Sequence, residues 1–409
     1  MPRFAPFRAL RYAASTDLAS LTAPPYDVLS DADVDRLQRR SDHNVVRVDV
    51  PRDGNDRYQK AAALLEQWVG HGVLVRDEAP TFTIHRMRFV DDRGEDRDLT
   101  LVLGALEVVD EGAGGVLPHE RTTPKASTDR LDLTRATRAN LSPVWGLSLA
   151  TGLAAALRAP GEPVGVVLVD DVEHRVERIT DPQRMAQITD LVGSAEVLVA
   201  DGHHRYGVAR AYRDECRAAT GRADTDAELT LACLGELVPD QLSVRAIHRL
   251  YSGADHASVR SALQRYFEIT DAPMPSLAMI ADLDRLGRLA LIGPDGGAEW
   301  LTARPGAFDG VRALDGAWLE AALADVAVET AYQHGVDEVV EALVTGRAHS
   351  GVLIRPVSVA EIARTAHERL LMPPKSTFFT PKPLTGLVIR PLDLDGAAPS
   401  AHSASEVAP

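Results

Sequence analysis

Side chains able to do chemistry concentrate in three short stretches of this chain. The first is Ala200-Asp-Gly-His-His-Arg-Tyr206. The apolar run Val197 to Ala200 reads as a buried strand, Asp201-Gly202 as a tight turn, and Tyr206 to Cys216 as a helix. A strand-to-helix turn gathers main-chain N–H groups and the positive end of the helix dipole. With His203, His204 and Arg205 in that turn, the chemistry that fits is binding of an anion, most naturally a phosphate. Three other readings compete: a metal site, a histidine nucleophile or base, and a surface turn whose histidines are merely satisfied. Adjacent histidines diverge, and no spacing of the His-Glu-x-x-His kind occurs, so no metal ligands are assigned.

The second stretch is Pro118-His-Glu-Arg-Thr-Thr-Pro-Lys125, which has no periodicity and reads as a loop. Glu120 flanked by basic groups would stay ionised and could take a proton from a substrate hydroxyl, with His119 beside it. Lys125 could hold a phosphate as a point charge. On the helix that follows, Arg135 and Arg138 are three residues apart and share a face; the alternative is a solvated face on which Arg135 pairs with Asp132. The third stretch is Met372-Pro-Pro-Lys-Ser-Thr-Phe-Phe-Thr-Pro-Lys-Pro383, a stiff loop carrying Lys375-Ser-Thr377. Lysine with hydroxyls suits phosphate, but the glycines of a Walker A loop are missing. There is no Gly-x-Gly-x-x-Gly and no Gly-x-Ser-x-Gly elbow.

Several elements must position these stretches. Ala23-Pro-Pro-Tyr-Asp-Val28 is a proline-stiffened loop that presents Tyr26 and Asp27. Ser30 caps a helix. Asn44 to Val50 alternates as a strand would, and Tyr58 to Val69 has helical spacing. Hairpins are expected over 81–109 and 164–179, and a helix opened by Asp181-Pro182 feeds the strand before the turn. The C-terminal part mixes helices (255–267, 273–286, 318–328, 335–343, 359–370) with short strands. These expectations give an α+β, or mixed α/β, class with three parts: 1–250 as a phosphate-binding catalytic domain, 251–391 as a smaller α/β region contributing a loop to the site, and 392–409 as a disordered tail rich in Ala, Ser and Asp.

With 44 Lys and Arg against 59 Asp and Glu, the net charge is −15 and no basic run occurs, so nucleic acid is not an expected partner. Two cysteines, Cys216 and Cys233, stand outside any Cys-x-x-Cys pattern and read as core thiols in a reducing cytosol. No apolar stretch approaches ~18 residues, so no membrane association is expected, and the cytoplasm is the expected compartment.

Taken together, the motifs 23–28, 44–51, 118–122 with 129–131 and 135–137, 200–206 and 372–377 resemble the bacterial and archaeal family known as domain of unknown function 1015. That resemblance carries no activity. The Gly202-His-His-Arg205 box is in addition similar to the phosphate-binding box of the ParB/sulfiredoxin superfamily, which includes free serine kinases. His203 stands where sulfiredoxin has its reactive cysteine, so sulfinic-acid chemistry is not expected. The resemblance implies a ParB/sulfiredoxin-like core and contact with a nucleotide (ATP, ADP or CTP) or phosphate at Gly202 to Arg205; in a phosphoryl transfer there, Asp201 could help hold Mg²⁺. The resulting expectation is a phosphotransferase on a small hydroxyl metabolite such as serine. Glu120 would be the base, His203 or His204 a relay or nucleophile, and Lys125, Arg135 and Lys375 would neutralise charge. The alternatives are a phosphomonoesterase on phosphoserine or a similar ester, and a nucleotide-gated ParB-like binding protein. Neither the phosphoryl donor nor the oligomeric state follows from the sequence.

Overall fold

The computed structural model describes residues 1–13, 17–52, 54–120 and 127–393, so Lys125 and residues 394–409 lie outside the described residues. The chain is mixed α/β. A nine-stranded sheet dominates its first 236 residues. The order across it is Val116–Pro118, Val197–Asp201, Val144–Ser148, Leu229–Glu236, Asp96–Glu107, Phe82–Val90, Val172–Ile179 and Glu162–Val169, with Phe4–Ala5 also paired to Asp96–Glu107. Val197–Asp201 runs parallel to Val116–Pro118 and antiparallel to Val144–Ser148. Both expected hairpins form, and Pro163 sits in the strand at the sheet edge, where a missing N–H does least harm.

The sheet is covered on both faces. Leu198 packs into a cluster with Met87, Leu101, Trp145 and Phe379, while Val197 and Val199 pack into another with Phe4, Phe82, Ile188 and Val192. Burial on both sides is why 197–200 is continuously apolar rather than alternating. Cys216 and Cys233 are buried free thiols.

A second sheet of six strands follows, in the order Phe267–Asp271, Ala298–Ala303, Leu289–Ile292, Ser350–Leu353, His248–Ser252 and Glu329–Gln333. The chain then returns to segments that precede the second sheet. Met372 bridges to Glu120, Phe378–Thr380 pairs with Ser243–Arg245, and Arg390–Pro391 pairs with Ala139–Asn140. The Leu392 N–H donates to the Arg138 carbonyl at 2.8 Å, and Asp393 pairs with Arg76, so these two residues are tied to the body of the protein.

The helix N-termini follow their capping residues. Ser30 and Asp33 form a reciprocal capping box, and Asp181 caps Pro182–Gly193 with proline in its first turn. Val46–Asp49 differs in type from the sequence expectation: it is a helical turn, not a strand. The Asn44 side chain is the cause. Its Oδ1 accepts from the Val46 N–H at 3.0 Å, and its Nδ2 donates to the carbonyls of Ser20 and Thr22, so it starts the turn and ties it to a neighbouring segment. Among the described residues, no helix is long and apolar enough to cross a membrane.

Candidate functional site

The strand Val197–Asp201 ends at Asp201, and Gly202 then adopts φ 85°, ψ 30°, the left-handed conformation that starts the helix His203–Thr220. A side chain at Gly202 would bring its Cβ to 3.1 Å from Cζ and Nε of Arg205. Gly202→Ala should therefore cost about 1–3 kcal/mol, from the strained backbone and the displaced guanidinium together. Denaturant unfolding measures this, and a loss below ~0.5 kcal/mol would mean that the turn relaxes freely.

Arg205 turns back from the helix into the protein. Its Nη2 donates to Asp201 Oδ2 at 2.6 Å and to Asp27 Oδ2 at 3.1 Å, and Nη1 donates to the Pro143 carbonyl. The other oxygen of Asp201 accepts from Lys382 Nζ at 2.6 Å. Burial alone would push the Asp201 carboxyl up, but Lys382 and Arg205 outweigh it and hold the group well below the usual carboxylate range. Lys382, Asp201, Arg205 and Asp27 thus form a continuous chain of alternating charge. Tyr26 lies alongside it, with the Arg130 guanidinium 4.2 Å and that of Arg205 5.9 Å from its ring centre. Arg130 is held in turn by Asp129 at 2.8 Å and by the Asp49 carbonyl at 2.6 Å.

The second limb of the site holds two histidines. His119 follows the short strand Val116–Pro118 and is buried. Its Nδ1 lies 2.5 Å from the Val199 carbonyl and its Nε2 2.6 Å from Thr377 Oγ1. A carbonyl only accepts, so Nδ1 carries the proton and Nε2 accepts from the threonine hydroxyl. Burial lowers the His119 pKa to about 4, which keeps the ring neutral at pH 7. The His203 ring is 5.0 Å from that of His119, and burial, with His119 adding to it, lowers its pKa to about 3. The buried His203 Nε2 has no hydrogen-bond partner among the described residues. His204, one position on, is partly buried.

Glu120 accepts the Ser376 N–H at 3.1 Å. Burial raises its pKa, with the Ser376 N–H and the Lys375 charge opposing the shift. The sequence expectation was a carboxylate kept ionised by basic neighbours; desolvation instead dominates, which moves the group toward the range of a working general base. Lys375 itself is exposed, with φ 57°.

The structure therefore brings His119, Glu120, Asp201, Gly202, His203, Arg205 and Lys375 into one region. Arg135 is not part of it. Its guanidinium pairs with Asp132 at 2.5 Å and with Glu215 at 2.5 Å on a largely exposed helix face. Arg130, packed on the Tyr26 ring, is the arginine of that helix that reaches the site. Both Asp201 oxygens are already engaged, one by Lys382 and the other by Arg205, and among the described residues no three His, Cys, Asp or Glu side chains cluster as ligands. Sequence reading gave no role to Lys382, Asp27 or Arg130. The one available signal was rigidity: Lys382 stands between Pro381 and Pro383, and Asp27 follows Pro24-Pro25.

Residues 4–317 match the family model described as a protein of unknown function, DUF1015. The chain belongs to this family. No curated protein matches it. Among solved structures it is similar to a free serine kinase in complex with AMP, at 12% identity and a TM-score of 0.36 over 65% of this chain and 84% of that one. It is also similar to a C-terminally truncated SbnI from Staphylococcus aureus, at 13% identity and a TM-score of 0.38 over 69% and 85%. A conserved hypothetical protein from Pyrococcus furiosus matches at 12% identity and a TM-score of 0.35 over 65% and 87%.

Proposed function

We propose that this family member transfers a phosphoryl group between a nucleotide and a small hydroxyl metabolite, with serine the first candidate. The observation that carries the reading is the meeting of His119-Glu120 and the 375–382 segment at the Asp201–Arg205 turn: Glu120 on Ser376, His119 on Thr377, and Lys382 on Asp201. Phosphoryl transfer needs a seat for phosphate oxygens, cations to offset their charge, and a base for the acceptor hydroxyl. The N–H groups of the first helical turn would provide the seat, and Lys375 and Lys382 the nearby positive charge. Glu120 would accept the proton of the acceptor hydroxyl as its oxygen bonds to phosphorus. The bond to the leaving oxygen breaks with its electron pair going to the departing nucleotide. The neutral pair His119–Thr377 positions the loop that carries Ser376, and so holds Glu120 in place. The similarity of the Gly202-His-His-Arg205 box to boxes that handle phosphoryl groups supports the same reading.

Turnover of L-serine with ATP, ADP, CTP and pyrophosphate tests the activity. Glu120→Gln should lower kcat by about 10²–10⁴-fold while leaving nucleotide affinity within a few-fold. Absence of turnover with every donor would remove the kinase. Phosphate release from phosphoserine without nucleotide would instead identify a phosphomonoesterase. Nucleotide-dependent dimerisation without chemistry would identify a ParB-like switch.

A further inference from the structure

Among the described residues five arginines are buried: Arg11, Arg205, Arg213, Arg249 and Arg390. Four of them have carboxylate partners, namely Asp77, Asp201, Asp110 and Asp226. Arg249 has none among the described residues. It is 5% exposed, and its contacts are a hydrogen bond to the Ile247 carbonyl and the ring of Tyr332, 4.8 Å away. A guanidinium cannot shed its proton in a protein, so a buried one without a counter-ion is strongly unfavourable unless something anionic binds it.

Arg249 lines a cavity of about 250 Å³. Three carboxylates line the same cavity, and each is already committed: Asp315 to Arg355 at 2.5 Å, Glu361 to Arg312 at 2.9 Å, and Asp284 to Arg93. Arg249 is therefore the charge lining the cavity that has no ion-pair partner among the described residues; the Glu320 and Glu120 carboxylates act on it only from beyond ion-pair distance. Gly316 keeps the space beside it open, since a Cβ there would lie 3.0 Å from Arg249 Nη2. Ser376, whose main-chain N–H holds Glu120, is also part of the lining, so the cavity adjoins the support of the proposed base.

We propose that the Arg249 cavity is a binding subsite for a small oxyanion, a phosphate or carboxylate group, next to Glu120. The planar fork of arginine suits either group. In placing an anionic group of the substrate beside the base, the proposal rests on the phosphotransfer reading; the binding itself does not.

The test is calorimetric titration of the full chain with inorganic phosphate and with acetate, repeated on Arg249→Met and Arg249→Lys. Saturable binding is expected. Arg249→Met should weaken it on the order of ten- to a hundred-fold, and Arg249→Lys by less. The melting temperature of Arg249→Met without anion should be unchanged or higher, because an unpaired buried charge has been removed. Preference for phosphate over acetate assigns a phosphoryl group, and the reverse assigns a carboxylate. If neither anion binds saturably, or if Arg249→Met binds as the natural protein does, the subsite does not exist. Should Arg249→Met not fold, Gly316→Ala, whose methyl crowds Nη2, replaces it, and unchanged affinity there overturns the proposal equally. Anion binding that depends on Arg249 in a protein without phosphotransfer would sink only the activity. Phosphotransfer in a natural protein that binds neither anion saturably would sink only the subsite.

Discussion

Asp201→Asn is expected to cost about 3–5 kcal/mol of stability, because one carboxylate holds two partly or fully buried cations. Lys382 and Arg205 both donate to it at 2.6 Å, and their side chains are 11% and 8% exposed. Asparagine is nearly isosteric, so packing survives and the change reports charge alone. Arg205 keeps Asp27 at 3.1 Å, but no other carboxylate is in ion-pair contact with Lys382 among the described residues, and its ammonium is left in a poorly solvated place. Lys382→Met is the milder variant, at about 1–3 kcal/mol, since Asp201 retains Arg205. The double variant Asp201→Asn/Lys382→Met should cost less than the sum by on the order of 1–3 kcal/mol, because it removes both members of the pair. Urea unfolding of the four proteins measures this cycle. Costs that simply add, within ~0.5 kcal/mol, would show that the ion pair is a surface contact of no energetic weight. The same variants matter for function. Lys382 fastens the 375–382 segment to the turn, so its loss should loosen Ser376 and with it Glu120.

What could be read from the sequence was local. The turn at Gly202 was legible because strand, turn dipeptide and helix follow one another within a few residues, each with its own pattern. Ser30 and Asp181 were legible as caps because the partner N–H lies three residues on. The site as assembled was not, because its bonds join distant positions: Lys382 to Asp201 across 181 residues, Arg205 to Asp27 across 178, and His119 to Thr377 across 258. A charge in a sequence does not say which opposite charge it will meet. Arg130 and Arg135 show this directly. Both are arginines on one helix, and only the fold decides that the first meets Tyr26 and the second meets Glu215. The Val46–Asp49 turn failed for another reason. Valine alternating with Asn, Arg and Asp over seven residues fits a strand, yet one side-chain hydrogen bond from Asn44 is enough to start a helical turn instead.

The remaining large effect is acid sensitivity. His119, His174 and His248 are buried, with pKa values lowered by burial to about 4 in each case. In the unfolded chain each titrates near 6.5. The folded state therefore binds fewer protons, so stability is complete above about pH 6.5 and falls as the pH drops toward 4. At pH 5 each histidine should cost about 2 kcal/mol, and the three together about 6, which is comparable to the whole stability of an ordinary domain. His85 adds to this in the same direction, since it is buried against His174 with its Nε2 2.9 Å from the His174 Nδ1. The Asp201 carboxylate does not contribute in this window. Its pKa is depressed below that of a free carboxylate, so its share is lost only under more acidic conditions. Urea midpoints at pH 7.5 and pH 5 should differ sharply. His248→Asn keeps an acceptor for the Ile354 N–H, which the histidine Nδ1 accepts at 3.3 Å, and should flatten the pH slope by about a third of the three-histidine term. A stability that stays level between the two pH values would mean that these rings are solvated enough to charge without unfolding. In that case His119 would be free to act as an acid near neutrality, and the neutral tautomer assigned to it through Val199 and Thr377 would have to be given up.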